Sequence, residues 1–319
     1  MKQFPRNDTM KVLISSRSFG KSDTDALELL QNEKLEPILN PYGRKMNEAE
    51  IADMITDVVG VIAGTELLSQ KVLTEAPMLK VISRYGIGLD NIDLQSAHKH
   101  GILVYNTPNT PALAVAELTL SLILNLLKKI GKVDRLLRTD EWKPDMGNLL
   151  THKTVGIIGL GRIGKKVIKL LQPFNPALLA YDVQPDKQYA KQNNIKLVTL
   201  PELLTQSDII TIHCPLIPET HHLIGEKELS LMKPTTLIIN TARGGIIDEH
   251  ALYVFVKQGK IAGAALDVFE HEPNTGKLKE LENVILTPHI ATYTQETRKQ
   301  MELEAVQNLI KGLREVKML

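Results

Sequence analysis

Cys214 is the one cysteine among 319 residues, so no disulfide can form within the chain and a reducing compartment, the cytoplasm, is expected. An excess of one charge is missing too: 38 basic side chains face 37 acidic ones. Nucleic-acid binding normally leaves a basic excess or stripe, so no nucleic-acid partner is expected. Residues 1–10, MKQFPRNDTM, have no apolar stretch of the kind a secretory leader needs. The longest apolar run, Ala112 to Leu127, contains Glu117, Thr119, Ser121 and Asn125. It is also shorter than the roughly 20 residues that cross a bilayer, so no membrane span is expected. It reads instead as a helix buried nearly all round, in a core or a subunit interface. Repeats, low-complexity tracts and heptads are absent. The nine histidines are scattered, and His221-His222 cannot both face one metal from a regular strand. That pair reads as solvated loop, and no metal is expected.

What is present has the composition of a globular protein, 43% hydrophobic and 24% charged, with a length that suggests two domains. In the first third, strand-like runs at Val12–Ser15, Val58–Ala63, Lys80–Ser83 and Ile102–Tyr105 alternate with helical patterns. The helical patterns fall at Asp25–Asn32, Asn47–Ile55, Ser69–Glu75 and Asp93–His100. Asn47 and Glu50 have capping-box spacing, and Gly101 follows a helix ending in His98, Lys99 and His100. Two prolines in Asn106-Thr-Pro-Asn-Thr-Pro111 interrupt the pattern and read as a hinge. The alternation resumes with strands near Thr154–Ile158, Ala177–Tyr181, Asp208–His213, Thr236–Asn240, Gly263–Val268 and Asn283–Leu286, then a last helix from Gln295 to Leu313. Such alternation predicts an α/β fold with parallel sheets.

The run Lys153–Ile158 leads straight into Gly159-Leu160-Gly161-Arg162-Ile163-Gly164, and a helical pattern follows. Three glycines at this spacing serve three needs: a tight turn, close approach of a pyrophosphate to the backbone, and close packing of helix on strand. The helix N-terminus then offers N–H groups and a positive dipole to the phosphates. Asp182 lies 23 residues beyond Gly159, at the end of the next strand, near the expected gap of about 20. A carboxylate there accepts from the adenosine ribose and repels a 2′-phosphate. Val183-Gln184-Pro185 supply no arginine, so NAD is expected over NADP.

Three later strands run out into polar groups, where open α/β sheets place ligands. Arg243-Gly244-Gly245 offers an anion clamp with cleared space beside it. Asp267, Glu270 and Glu272 cluster at the next strand end, and His289 follows the last strand. Arginine, carboxylate and histidine together supply a clamp, a base and an orienter for the base. Cys214, between a buried strand and a proline, reads as a cofactor-lining or packing residue.

These motifs together resemble the D-isomer-specific 2-hydroxyacid dehydrogenases. The matching pieces are Ser83–Asp93, Val115-Ala116-Glu117, the glycine turn, His213-Cys214-Pro215-Leu216, Thr241–Gly245, Leu266–Phe269 and Thr287-Pro288-His289. They cover essentially the whole chain from about residue 10. The resemblance implies two doubly wound domains. Residues 110–291 would form a Rossmann NAD-binding domain, inserted in a flavodoxin-like substrate domain of residues 1–109 plus 292–319. It implies that Arg243, Glu272 and His289 are catalytic. Arg243 would hold the substrate carboxylate and reacting oxygen, His289 would be the general acid/base, and Glu272 would bond His289 and raise its pKa. Asp267 would face the nicotinamide carboxamide. Cofactor contacts are implied for Gly159, Gly161, Arg162, Ile163, Gly164, Asp182, Val115, His213, Cys214, Pro215, Thr241, Ala242 and His289. Substrate contacts are implied for Arg84, Tyr85, Gly86 and Ile87, mostly through backbone N–H groups. The helix from Ala112 resembles the family's dimer-forming region, so a homodimer or tetramer is expected.

Within the family the chain is most similar to short-form D-3-phosphoglycerate dehydrogenases, which implies oxidation of 3-phosphoglycerate to 3-phosphohydroxypyruvate in serine biosynthesis. A C-terminal regulatory domain, and serine feedback through it, are not expected. Many such enzymes carry a further arginine where this chain reads Val61-Ile62-Ala63-Gly64-Thr65, and that departure weakens phosphate recognition. A reductase of glyoxylate, hydroxypyruvate or another unphosphorylated acid is the alternative; formate and phosphite dehydrogenases share the scaffold. A corepressor-like, NAD(H)-sensing binding module is a third reading, set against by the near absence of a tail.

Overall fold

Short Val-, Ile- and Leu-rich runs make the strands, because such side chains pack well on a pleat covered on both faces. The computed structural model describes residues 9–21 and 23–319, and counts and absences below are among these residues. The leader expectation therefore lies largely outside them. The chain divides into two units, one running to Pro111 and taking in Tyr293–Leu319, the other Ala112–Thr292.

The first unit contains β1 (Met10–Ile14), α1 (Asp25–Asn32), β2 (Leu35–Leu39), α2 (Glu48–Ile55), β3 (Gly60–Ala63), α3 (Gln70–Thr74), β4 (Val81–Arg84), α4 (Leu94–Lys99) and β5 (Leu103–Asn106). Its sheet is parallel throughout, in the order β2-β1-β3-β4-β5. That is the flavodoxin-like order. Side chains of β1 alternate between the faces: Val12 and Ile14 pack with Leu30 of α1, and Leu13 packs with Ile51 and Ile55 of α2. The expected capping box at Asn47 and Glu50 forms, and Gly101 closes α4 at φ 68°.

The second unit contains α5 (Pro111–Lys128), α6 (Ile130–Arg138), β6 (Thr154–Ile158), α7 (Arg162–Leu171), β7 (Ala177–Tyr181), α8 (Lys187–Gln192), β8 (Ile195–Leu197), α9 (Leu200–Gln206), β9 (Ile209–Ile212), α10 (Glu226–Ser230), β10 (Leu237–Asn240), α11 (Glu249–Lys257), β11 (Gly263–Leu266) and β12 (Val284–Leu286). The last helix, α12 (Gln295–Glu315), returns to the first unit and packs Ala305, Val306 and Leu309 against its sheet. The second sheet is also parallel, in the order β12-β11-β10-β9-β6-β7-β8. Read from β6, this is the Rossmann order with one added edge strand. On one face α5 and α7 cover Ile157, Ile209 and Ile239; on the other α9, α10 and α11 cover Ile210, Ile212 and Ile238.

Two strands were not expected, β2 and β8, and both are edge strands. β2 contains Pro37, which lies opposite Val12. Proline is tolerated there because an edge strand has a side with no ladder to complete. The helix α5 was expected to be buried in a core or a subunit interface, and within this one chain its burial is partial. It is long and apolar enough to cross a membrane by length and composition, and half of it is buried within the chain. Leu113, Glu117 and Ser121, four residues apart, form an open stripe, while Ala116, Leu122, Ile123 and Leu127 enter the core.

Candidate active site

In the second sheet the direction of winding reverses between β6 and β9, so a ligand crevice is expected beyond their carboxyl ends. The glycine turn leaves β6 there, and each glycine has a separate steric reason. Gly159 sits at φ 96°, and a Cβ on it would lie 2.7 Å from the Cys214 nitrogen. A Cβ on Gly164 would lie 2.2 Å from the Gly159 carbonyl oxygen, so that glycine brings the helix onto the turn. Gly161 has open space where its Cβ would be, which leaves room for a pyrophosphate. It is also the N-cap of α7 with no side-chain cap bond, which leaves the first N–H groups and the helix dipole for an anion.

Asp182 closes this turn, with Oδ2 accepting from the Leu160 N–H at 2.7 Å and Oδ1 from the Gln184 N–H at 2.8 Å. Arg162 is exposed, Ile163 half-buried, and Val115 buried on α5. Past β9, His213 bonds Thr211 Oγ1 through Nε2 at 2.9 Å, while its Nδ1 is buried with no partner among the described residues. Burial pushes the His213 pKa down to about 3, so the ring is a neutral donor/acceptor. Burial pushes the Cys214 thiol up to about 11, which suits a lining residue and not a nucleophile. Pro215 is exposed. Thr241 is buried and bonds Thr119 across to α5 at 2.9 Å, and the Ala242 N–H donates to Asn240 Oδ1 at 3.0 Å. An uncapped helix end, a cleared glycine, a carboxylate at the end of β7 and an imidazole nitrogen with no partner among the described residues fit a dinucleotide.

Farther along the same carboxyl edge, His289 Nδ1 lies 2.9 Å from Glu272 Oε2 and 3.1 Å from Oε1. His289 occupies the left-handed region at φ 53°. Its turn is held by Asp267, a residue without exposed surface. Asp267 Oδ1 accepts from Thr287 Oγ1 at 2.6 Å and from the Ile290 N–H at 2.8 Å; Oδ2 accepts from the Ala291 N–H at 2.9 Å. The His289 N–H donates to the Asp267 carbonyl at 2.9 Å. Burial raises the Asp267 pKa against the pull of these hydrogen bonds. The expectation that Asp267 faces a carboxamide therefore meets a carboxylate with both oxygens engaged by the His289 turn.

Arg243 follows β10, with Nη1 donating to the Ala242 carbonyl at 2.8 Å. Beside it, a Cβ on Gly244 would lie 2.0 Å from the Phe269 carbonyl carbon. The Arg243 and Glu272 loops thus touch backbone to backbone, and the Phe269 N–H donates to Glu272 Oε1 at 3.2 Å. Sequence reasoning missed the ties of this second loop. Glu270 and Glu249 exchange side-chain acceptors for each other's N–H, at 3.2 and 2.6 Å. His222 Nε2 lies 3.2 Å from Glu270 Oε1 and its ring stacks on His221 at 4.1 Å. The histidine pair is exposed in a loop, as expected, and His222 also ties that loop to Glu270, which no local sequence signal shows.

In the first unit Arg84 is buried at the end of β4. Its Nη1 bonds the Tyr85 carbonyl and lies 3.5 Å from the Ala63 carbonyl. An arginine expected to meet substrate is thus turned onto its own backbone, since Gly86 at φ 145° leaves space for the guanidinium beneath it. Two of the expected donors already have acceptors: the Tyr85 N–H donates to the Ala63 carbonyl at 2.8 Å and the Gly86 N–H to the Arg84 carbonyl at 3.0 Å. Asn106, another residue not anticipated, donates through Nδ2 to the Ile87 carbonyl at 2.7 Å and props the turn.

Comparison with known proteins bears on this geometry. The family model for the D-isomer specific 2-hydroxyacid dehydrogenase, NAD binding domain, matches residues 120–291. A D-3-phosphoglycerate dehydrogenase of Methanocaldococcus jannaschii is 43% identical over 262 residues, 81% of this chain and 50% of that protein. The chain therefore spans half the length of that relative. A glyoxylate reductase of Thermococcus litoralis is 38% identical over 285 residues, 86% of this chain and 85% of that protein. Among solved structures, a D-lactate dehydrogenase from Aquifex aeolicus complexed with NAD and lactic acid is similar at a TM-score of 0.84 and 31% identity, covering 97% of this chain and 96% of that one.

Proposed function

Since this chain belongs to the D-isomer specific 2-hydroxyacid dehydrogenase family and is an NAD-dependent oxidoreductase, we propose that it interconverts a D-2-hydroxy acid and its 2-oxo acid. The observation that carries this reading is the His289–Glu272 pair on the carboxyl edge of the sheet that holds the glycine turn. Glu272 accepts from Nδ1 and fixes the ring, which leaves Nε2 to face the substrate oxygen. There it removes the hydroxyl proton in oxidation and returns it in reduction. Arg243 supplies a permanent charge for the substrate carboxylate and the polarised oxygen. In the first unit, the Tyr85–Ile87 turn is a further candidate carboxylate contact, chiefly through the Ile87 N–H, because those of Tyr85 and Gly86 are engaged. Val115, the Gly159–Gly164 turn, Asp182, the His213–Pro215 segment, Thr241 and Ala242 would hold NAD, which would supply the hydride donor or acceptor.

Two substrate classes, phosphorylated and unphosphorylated acids, divide the proposal. Oxidation of 3-phosphoglycerate, with a place in serine biosynthesis, is supported by likeness to the M. jannaschii protein. Reduction of glyoxylate is supported by likeness to the T. litoralis protein, of which the chain covers far more, and reduction of an unphosphorylated acid such as hydroxypyruvate by the loop after β3. The deciding assay follows NADH with a panel of D-2-hydroxy and 2-oxo acids, NAD and NADP compared. NADH binding with no turnover on any acid would leave the sensing-module reading instead. In the same assay Asp182→Ala is expected to reduce the preference for NAD over NADP at least about 10-fold, a loss worth about 1.4 kcal/mol. An unchanged preference would remove Asp182 from the ribose.

A homodimer or tetramer is supported by exposed apolar side chains at Leu113, Ile130, Leu137, Trp142, Met146 and Leu149, with Trp142 85% exposed. Light scattering that finds a monomer at micromolar concentration would refute it. The cytoplasmic location is supported by the lone, protected Cys214 thiol, and cell fractionation reads it.

A further inference from the structure

The loop after β3, Gly64-Thr65-Glu66-Leu67, buries a carboxylate at the rim of the first sheet. In the order β2-β1-β3-β4-β5 the winding reverses between β1 and β3, and the crevice of such a sheet lies beyond the carboxyl ends of those strands. Glu66 is 3% exposed there. Its Oε2 accepts from Ser15 Oγ at 2.7 Å, and Ser15 Oγ accepts from the Gly64 N–H at 2.9 Å. Asn91 Nδ2 clamps the loop from the other side, donating to the carbonyls of Gly64 at 3.2 Å and Glu66 at 2.6 Å. A Cβ on Gly64 would lie 2.5 Å from Glu66 Oε2, so the glycine leaves room for the carboxylate. The carboxylate is thus tied to a Ser15 hydroxyl that the Gly64 N–H fixes, while Asn91 fixes the backbone of the loop.

This loop borders the Tyr85 turn directly, since the Tyr85 N–H donates to the Ala63 carbonyl. A substrate whose carboxylate rests on that turn has Glu66 for a neighbour. Residues 61–68 contain no lysine or arginine. Nearby cations are committed elsewhere: buried Arg84 is turned onto the Tyr85 carbonyl, the Arg298 guanidinium lies between the rings of Tyr85 and Tyr293 at 4.4 and 4.6 Å, and Arg17 bonds the Tyr293 phenol. A phosphoryl group carries about −1.5 to −2 charge at neutral pH. It would meet a fixed negative charge where recognition needs cations.

Resting on the dehydrogenase reading above, we infer that Glu66 is a specificity-determining residue that turns away phosphorylated acids and reserves the site for small unphosphorylated 2-oxo acids. Hydroxypyruvate and 3-phosphohydroxypyruvate share a carbon skeleton and differ by the phosphoryl group alone, so their kcat/KM values with NADH isolate the effect. The wild-type chain is expected to favour hydroxypyruvate by about 100-fold or more, and Glu66→Gln to shift the ratio at least about 10-fold toward the phosphorylated acid. Preference of the wild type for the phosphorylated acid, or an unmoved ratio in a folded Glu66→Gln, overturns the inference and leaves the dehydrogenase intact. The wild-type ratio tests it even if the variant does not fold. NADH binding with no turnover of any acid overturns both readings.

Discussion

Replacing His289 with alanine is expected to lower kcat by about 10²- to 10⁴-fold, the range that positioned acid–base catalysis contributes. NADH affinity is expected to stay within about 3-fold, because the glycine turn and Asp182 lie at β6 and β7. Stability is expected to change little. The His289 and Glu272 side chains are 37% and 34% exposed, and a pair that open to solvent contributes about 0–1 kcal/mol. A large catalytic loss beside a small stability loss separates a chemical role from a structural one. Glu272→Gln gives the matching half of the argument. It keeps an acceptor for Nδ1 but removes the charge that stabilises the protonated ring, so an intermediate loss of kcat is expected. Steady-state kinetics with fluorescence titration of NADH measure both. Retained turnover in His289→Ala would remove the residue from the chemistry.

Much of this arrangement was legible because the signals are local. The three glycines, the acid one strand later and the polar residues at successive strand ends all lie within single strand–loop–helix steps. The sheet only has to bring those steps side by side. What was missed is non-local or runs against a rule. Pro37 hides β2, since a proline argues against a strand until the strand is known to be an edge. The reciprocal bonds of Glu249 and Glu270 join residues 21 apart, across β11. Arg84 carried the right charge at the right place, but its direction depends on the space beneath Gly86, and spacing does not report that. Glu66 was visible only as a missing cation; that it is a buried, clamped anion follows from Ser15, more than 50 residues earlier.

Asp267 shows where family resemblance and geometry assign different work to one residue, and a substitution there separates them. The resemblance places its carboxylate toward the nicotinamide carboxamide. The structure engages both oxygens with Thr287, Ile290 and Ala291, the residues on either side of His289. A chain held at a left-handed residue needs such a tie, because φ near +50° is disfavoured for a side chain with a Cβ. Asp267→Asn keeps the size but turns one acceptor into a donor that faces other donors. Each buried donor left without an acceptor costs about 1–3 kcal/mol, and each kcal/mol lowers Tm by roughly 2–4 °C in a domain of this size. Thermal unfolding is therefore expected to move down by several degrees. The freed turn misplaces the imidazole, and a displacement of about 1 Å costs about 10²-fold in rate, so kcat is expected to fall by that order. NADH affinity is expected to hold within about 3-fold. The opposite split, NADH bound at least about 10-fold more weakly with kcat and Tm preserved, would mean that Asp267 serves the cofactor and that the turn of His289 stands without it.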